Sequence, residues 1–408
     1  MKNELITAMA EAVKVLENYS SKKINLFHHN DTDGLTSGAI LLHAFEAAGY
    51  EVSRFSLEKP YPKVLEKILS NDGEIIFFAD FAGKIAPMIA GLNNGHNLVV
   101  IIDHHPAEES GDESVINLDG DLFGLKGDRD ISASATCFLF ADVLLKNIGM
   151  DSDSLSHLGA LGAIGDGFLV NGKLSGVNRE VMKIAEEHKL LRVGKYNDHE
   201  EYFIRLAGIE YSAVDICVYL DTLGGVGYYQ NGTALGIELC QNGLTKSLEK
   251  LIDELNRKKE EIFSKEIHNL KQEINTTKNL HWFNVHERFK PMGVKMIGVF
   301  CNIIKDMDFL DESKYLAGFQ TVPNEVPGFG EINFNSTKIS MRVSDYLTEG
   351  IRSGDTPGLS MFLPVATYKL GGFADACHGL SAATTVKIGQ EEELIIEIEK
   401  ELEKLGRN

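Results

Sequence analysis

Three times between residues 24 and 106 a short apolar run leads into a polar segment that carries an aspartate, and the intervals between these runs carry helix-like patterns. Ile24-Asn25-Leu26-Phe27 leads into His28-His29-Asn30-Asp31, Glu74-Ile75-Ile76-Phe77-Phe78-Ala79 into Asp80, and Asn97-Leu98-Val99-Val100-Ile101-Ile102 into Asp103-His104-His105-Pro106. Runs this short and apolar suit buried strands, and Glu51 to Leu57 reads as another. From Thr36 the pattern suits a helix packed on a sheet. Tyr61 to Leu69 and Ala86 to Leu92 read the same way, and residues 5–20 carry Leu5, Ala8, Ala12, Val13 and Leu16 at helical spacing. Strand and helix alternating in this order predict an α/β domain with a mostly parallel sheet flanked by helices. The carboxyl ends of parallel strands share one edge, so aspartates tens of residues apart converge there, where open α/β sheets bind ligands.

The loop His29-Asn30-Asp31-Thr32-Asp33-Gly34 places one imidazole and two carboxylates within five residues. Oxygen and nitrogen donors grouped in this way suit a divalent cation such as Mn²⁺ or Mg²⁺. Taken alone, the loop reads equally as an Asx-turn followed by a helix N-cap. Asp80 and Asp103-His104 at the other strand ends tip the reading toward a metal. A further carboxylate lies at Gly165-Asp166-Gly167, after a helical pattern from Leu155 to Gly165; alone that tripeptide is a turn signal. His28 and His43 read as packing or surface histidines.

The chain has 408 residues, enough for two or more domains with real cores. Five scattered cysteines with no CxxC pair suggest neither a zinc site nor a disulfide frame, and reduced cytoplasm is the default compartment. No stretch approaches the roughly 20 apolar residues that span a bilayer, so no membrane association is expected. The net charge of −20, from 40 basic and 60 acidic residues, argues against coating of duplex DNA. A nuclease remains compatible, because bound cations reverse the local field where phosphates sit.

From Thr245 to Lys290 there is neither glycine nor proline, and Leu248, Leu251, Ile252, Leu255, Ile262, Ile267, Leu270 and Ile274 recur at helical spacing. A helix of about 30 residues is expected there, connecting two lobes. Residues 170–244 are harder to read, and Gly224-Gly225-Val226-Gly227 lacks the lysine of a phosphate loop and reads as a turn. Beyond the connector, Val294 to Phe300, Tyr315 to Phe319, Lys338 to Val343 and Phe362 to Ala366 are candidate strands of a smaller α/β domain with a mixed sheet. The last helix, Glu391 to Leu405, is acidic outside and aliphatic inside, suited to packing on this lobe or on a second subunit of a homodimer.

As an ordered set, His29-Asn30-Asp31-Thr32-Asp33-Gly34, Asp80, Asp103-His104-His105 and Gly165-Asp166 resemble the DHH phosphoesterase superfamily. The first loop, with Ser37-Gly38-Ala39-Ile40 behind it, looks most like the RecJ-like branch. The resemblance implies a DHH domain over 1–244 with its core motifs in 20–170, a helical connector over 245–280, and a DHH-associated substrate-binding domain over 281–408. It also implies two divalent ions, usually Mn²⁺, held by His29, Asp31, Asp33, Asp80, His104 and Asp166, with Asp80 bridging them. Asp103 and His105 would stand beside the metals as catalytic residues. In the second lobe, Lys338 to Ser344 resembles the strand before the family's glycine-rich motif. Arg342, Gly371, Gly372 and His378 would then hold substrate phosphates, although five residues separate the glycines from the histidine and Thr384 replaces an expected glycine. The implied activity is hydrolysis of single-stranded DNA or RNA, or of short oligonucleotides, from an end, with substrate between the lobes. Alternatives are a small-molecule phosphoesterase acting on cyclic dinucleotides, bisphosphate nucleotides or pyrophosphate, and a noncatalytic scaffold for replication or repair partners.

Overall fold

The computed structural model describes residues 1–406, the side chains at 375 and 376 excepted. The chain forms two compact units, Met1–Asp253 and Glu254–Asn408. In the first, α1 (Lys2–Asn18) buries Leu5, Met9, Ala12, Val13 and Leu16 along one face. It is followed by β1 (Lys23–His28), α2 (Thr32–Ala47), β2 (Glu51–Ser56), α3 (Pro62–Ile68), β3 (Ile75–Ala79), α4 (Ala86–Asn93), β4 (Leu98–Ile102) and β5 (Val115–Asn117). The five strands make one parallel sheet in the order β2-β1-β3-β4-β5. Every residue of β3 and β4 is buried, which is why these runs show no polar alternation: a parallel sheet is covered on both faces. From β1 the chain moves to β2 on one side of the sheet, and from β3 it moves to β4 on the other. The connections leaving β1 and β3 therefore diverge, and a crevice opens between them at the carboxyl edge.

The unit continues through α5 (Ala133–Asn147), α6 (Ser156–Gly165), β6 (Leu169–Val170), β7 (Lys173–Leu174), α7 (Gly176–Glu187), β8 (Leu191–Tyr196), β9 (His199–Leu206), β10 (Ile209–Ser212), α8 (Ala213–Asp221) and α9 (Gly232–Asn242). Strands β8 to β10 form a small antiparallel sheet. Helix α2 packs on α5, α6 and α9 as well as the sheet, so it is buried almost all round, as a helix without a polar face must be. Between α8 and α9, Thr222–Val226 is a π-helical segment, not the simple turn expected from its glycines.

The expected long helix is α10 (Lys246–Glu273), and the boundary between the two units falls within it. The second unit then contains β11 (Asn275–Thr276), β12 (Leu280–Asn284), α11 (Met296–Ile304), β13 (Tyr315–Thr321), β14 (Glu325–Val326), β15 (Gly330–Glu331), β16 (Ser336–Arg342), α12 (Asp345–Ser353), α13 (Leu359–Lys369), β17 (Phe373–Cys377), β18 (Ser381–Lys387) and α14 (Glu391–Lys404). Its main sheet is mixed, in the order β11-β12-β13-β16-β18-β17, with β12 and β13 parallel and the other pairs antiparallel.

Two strand expectations are corrected. Val294 to Phe300 belongs mostly to α11, where Met296, Ile297, Phe300, Cys301 and Ile304 are buried at helical intervals. Phe362 to Ala366 lies within α13, whose buried residues Leu359, Phe362, Leu363, Ala366 and Thr367 repeat likewise. In both cases the apolar stretch was read over too few residues to distinguish a period of 2 from one of 3.6. Among the described residues no helix is long and apolar enough to cross a membrane.

His157, in the first turn of α6, is buried, and burial pulls its pKa from 6.5 down to about 4. The folded state therefore binds fewer protons than the unfolded state between these values. The stabilisation is complete above pH 6.5 and is lost as pH falls toward 4, by roughly 3 kcal/mol at most. His157→Gln should show a smaller fall in stability between pH 7 and 5 than wild type in denaturant titrations; an equal fall would remove His157 as a source of acid sensitivity.

Candidate metal centre

The loop after β1 is shaped by backbone hydrogen bonds before any ligand is considered. His29 N donates to Ala79 O at 3.1 Å, tying the loop to the end of β3. Asp31 is the N-cap of α2, its Oδ1 accepting from Gly34 N at 3.1 Å. A Cβ at Gly34 would lie 2.6 Å from the backbone of His29, so only glycine allows the loop to fold over its own helix start. Asp80, immediately after β3, has a left-handed backbone with φ 68°, a conformation that aspartate tolerates better than most residues.

These loops bring the six predicted ligands together at the edge of the sheet. His29 Nδ1 lies 2.8 Å from Asp31 Oδ2 and 3.3 Å from Asp80 Oδ2. His104 Nε2 lies 3.4 Å from Asp80 Oδ1, 3.3 Å from Asp166 Oδ2 and 4.0 Å from Asp33 Oδ2. The two oxygens of Asp80 thus face two different histidines. The resulting trios, His29 with Asp31 and Asp80, and Asp33 with His104 and Asp166, each have donor atoms within 4.8 Å of one another. Asp80 also groups with Asp103, His104 and His105.

Several of these side chains are held from behind. His104 Nδ1 is 2.5 Å from the Gly127 carbonyl, which sets the ring orientation and leaves Nε2 for the centre. Asp33 accepts from Ala133 N at 2.8 Å and Ser134 N at 3.0 Å, at the start of α5, where free amides and the helix dipole favour an anion. Asp103 accepts from Gly83 N, His104 N and His105 Nδ1, the last at 2.8 Å, so its buried carboxylate orients the His105 ring. Phe168 meets the His104 ring edge-on with centroids 5.2 Å apart. Gly127 and the amides at 133 and 134 act through backbone atoms, which no residue type advertises; Phe168 lay two residues beyond Asp166.

Electrostatics show how strongly these groups act on one another. Burial, then Asp80 and Asp166, push Asp33 well above the usual carboxylate range, and burial followed by the charge of Asp31 raises Asp80. Burial would depress His29, but the charges of Asp31 and Asp80 outweigh it and lift its pKa to about 10. His104 rises for the same reason, through Asp166 and Asp80. Burial would also raise Asp103, yet His105 and His104 hold it well below the normal range. His29 Nδ1, Asp80 Oδ1 and His104 Nε2 are buried without a hydrogen-bond partner despite their short separations. Nitrogen and carboxylate-oxygen donors that converge within 4.8 Å of one another in a buried, carboxylate-rich pocket fit a divalent cation. His28 stands apart: its ring is buried behind the loop, and burial lowers its pKa to about 4. His43 lies on an exposed part of α2.

In the second unit, Arg342 ends β16 opposite Ser381 of β18. Its Nη1 donates to Met341 O at 2.8 Å, and burial lowers the pKa of its guanidinium. His378 N donates to Ser381 O at 2.9 Å, so the histidine turn and Arg342 occupy the same end of the sheet. Gly371 and Gly372 are not brought there. They precede Phe373, which pairs with Thr385, four positions along β18 from Ser381 and hence roughly 13 Å away.

Residues 23–162 match the DHH family, N-terminal domain. An uncharacterized protein of Methanocaldococcus jannaschii is 29% identical over 225 residues, covering 52% of this chain and 48% of the relative. The chain therefore spans about half the length of the curated relative it matches. Among solved structures, RecJ from Thermus thermophilus in complex with Mn²⁺ is similar with a TM-score of 0.64, 15% identity, and coverage of 97% of this chain and 55% of that one. An exonuclease RecJ bound to manganese is similar with a TM-score of 0.61 and 16% identity over 97% of this chain and 94% of that chain. CDC45 from Entamoeba histolytica has a TM-score of 0.56 and 10% identity, covering 98% of each chain.

Proposed function

We propose that this chain, whose residues 23–162 form a DHH family domain within a RecJ-like fold, is a metal-dependent phosphodiesterase that removes nucleotides from an end of single-stranded nucleic acid or short oligonucleotides. The observation that carries this reading is the pair of ligand trios joined through the two oxygens of Asp80. Fold alone does not choose a chemistry; the arrangement of the centre is what supports this one.

His29, Asp31 and Asp80 would hold one divalent ion, and Asp33, His104 and Asp166, with Asp80 again, the other. Such a pair supplies Lewis acidity that activates water and offsets charge on a phosphate undergoing in-line displacement. The protein's own part is positional and protonic. Asp103 fixes the ring of His105 through Nδ1 and, outweighing the opposing effects of burial and His104, favours its imidazolium form, whose Nε2–H would then donate a hydrogen bond to a phosphate oxygen and steady the scissile group. The Gly127 carbonyl and the α5 amides hold His104 and Asp33 in place, so the site need not reorganise on binding. In the second unit, Arg342 and His378 share one end of the sheet and are suited to grip a second phosphate.

A panel of end-labelled oligonucleotides of graded length, cyclic dinucleotides and pyrophosphate, incubated with Mn²⁺ and then with chelator, tests the proposal. Release of mononucleotides from short single strands, abolished by chelator, is the expected result. Hydrolysis confined to pyrophosphate or a cyclic dinucleotide would move the function to a small-molecule phosphoesterase, and turnover undiminished by chelator would remove the metal mechanism.

A further inference from the structure

We propose that Asp221, at the end of α8 where the π-helical segment Thr222–Val226 begins, is a positioning residue that holds the His29–Asp33 loop in the register needed to bind a divalent cation. The inference rests on the metal-centre reading of that loop. Its candidate ligands alternate with two residues that point away from the centre and are buried, Asn30 and Thr32. Both are gripped by one stretch of chain almost two hundred positions later. Thr32 N donates to Asp221 Oδ1 at 3.0 Å, and Thr32 Oγ1 lies 3.1 Å from both Asp221 Oδ1 and the Cys217 carbonyl. Asn30 Nδ2 donates to Gly224 O at 2.7 Å. A Cβ at Gly224 would fall 1.6 Å from Asn30 O, so the two backbones touch and only glycine fits between them.

The amides at a helix start have no partners within the helix. Here Asp31 caps Gly34 N from within the loop, and Asp221 caps Thr32 N from outside it. Thr32 lies between Asp31 and Asp33, whose carboxylates belong to the two different trios, so fixing its backbone sets the spacing between them. An α-helical path would turn Gly224 relative to Asp221 by a different angle about the axis, whereas the π-helical one brings both to the loop. Single π-turns recur where a helix has been adapted to a site. The same stretch is anchored further on, where Tyr228 Oη donates to Ser56 O at 2.9 Å, at the end of β2.

The test is Mn²⁺ binding to the full chain by titration calorimetry, with thermal unfolding recorded for every variant. Asp221→Ala should weaken Mn²⁺ binding roughly 10- to 100-fold, the usual consequence of losing a partner behind a ligand, while still unfolding cooperatively. Asp221→Asn, which keeps an acceptor for Thr32, should recover most of that loss. Tyr228→Phe, which removes the anchor to Ser56 and leaves the loop contacts, should lower the unfolding temperature with Mn²⁺ affinity unchanged. Wild-type affinity in Asp221→Ala overturns the proposal. So does an equal loss in Tyr228→Phe, because the role would then be general support of the fold. If Asp221→Ala does not unfold cooperatively, Thr32→Val is read in its place: a weaker Mn²⁺ affinity supports the proposal and an unchanged one overturns it. Failure of the metal reading itself looks different, since wild type and Asp80→Ala would then bind Mn²⁺ alike.

Discussion

Asp80→Ala is expected to abolish measurable turnover, by on the order of 10³-fold or more, and to strip most of the bound metal. Its two oxygens face His29 at 3.3 Å and His104 at 3.4 Å, so in the proposed arrangement its loss removes a ligand from both ions at once, whereas loss of any other candidate ligand affects one. The carboxylate is buried beside other carboxylates, and its pKa is raised by burial and by Asp31. A cation placed among these carboxylates would be held by the same field in which they repel one another. His105→Ala provides the contrast. Its ring is bonded to Asp103 and stands outside both trios, so turnover should fall with bound metal retained. Elemental analysis of the purified variants beside initial rates separates the two cases. Full metal occupancy in Asp80→Ala would end the bridging assignment, and metal loss in His105→Ala would make that histidine a ligand.

How much of this was legible depended on where each contribution is encoded. The candidate ligands at the ends of β1, β3 and β4 stand out because each follows a short apolar run, fully buried in β3 and β4 and buried at Ile24 and from Leu26 to His28 in β1, as a parallel sheet covered on both faces requires. Asp166 was less distinct, because a carboxylate after a helix is a common turn. The supporting shell was invisible. Gly127 and the amides of Ala133 and Ser134 act through the main chain, and Asp221 reaches Thr32 only after the intervening helices have closed around α2. The glycines at 224 and 225 read as a turn, since a π-helical segment has no compositional signature, and what requires Gly224 is a neighbour distant in sequence. In the second unit, α11 and α13 were misread because five to seven apolar residues fit either period, and only Cys301 with Ile304, or Leu359 with Thr367, completes the helical one. The pairing of Gly371 and Gly372 with Arg342 followed from their order in the chain; strand register separates them, since Arg342 stands opposite Ser381 whereas the glycines stand beyond Thr385.

That register shapes the expectation for the second unit. Arg342→Ala should raise KM for oligonucleotides roughly 10- to 100-fold, the range for losing charge-assisted hydrogen bonds to a phosphate, and leave hydrolysis of a minimal activated phosphodiester nearly unchanged. The guanidinium is mostly withdrawn from water, which lowers its pKa, and Nη1 uses only one of its donors on the Met341 carbonyl. A planar fork in that setting favours an anion that can take two donors at once. Because His378 shares this end of the sheet through its bond to Ser381, His378→Ala should move KM in the same direction by a smaller factor, whereas a substitution at Gly371 should not. The net charge of −20 sharpens the contrast: a chain this acidic repels long polyanions at a distance, so affinity must come from a few well-placed cations, and losing one of them is felt strongly. Binding energy realised on a phosphate remote from the reaction orients the scissile bond without breaking it, which is why the minimal substrate should be spared. If Arg342→Ala loses equally on long and minimal substrates, the arginine supports the fold or the chemistry itself; if Gly371→Ala reproduces its effect, the anchor lies at the other end of the strands.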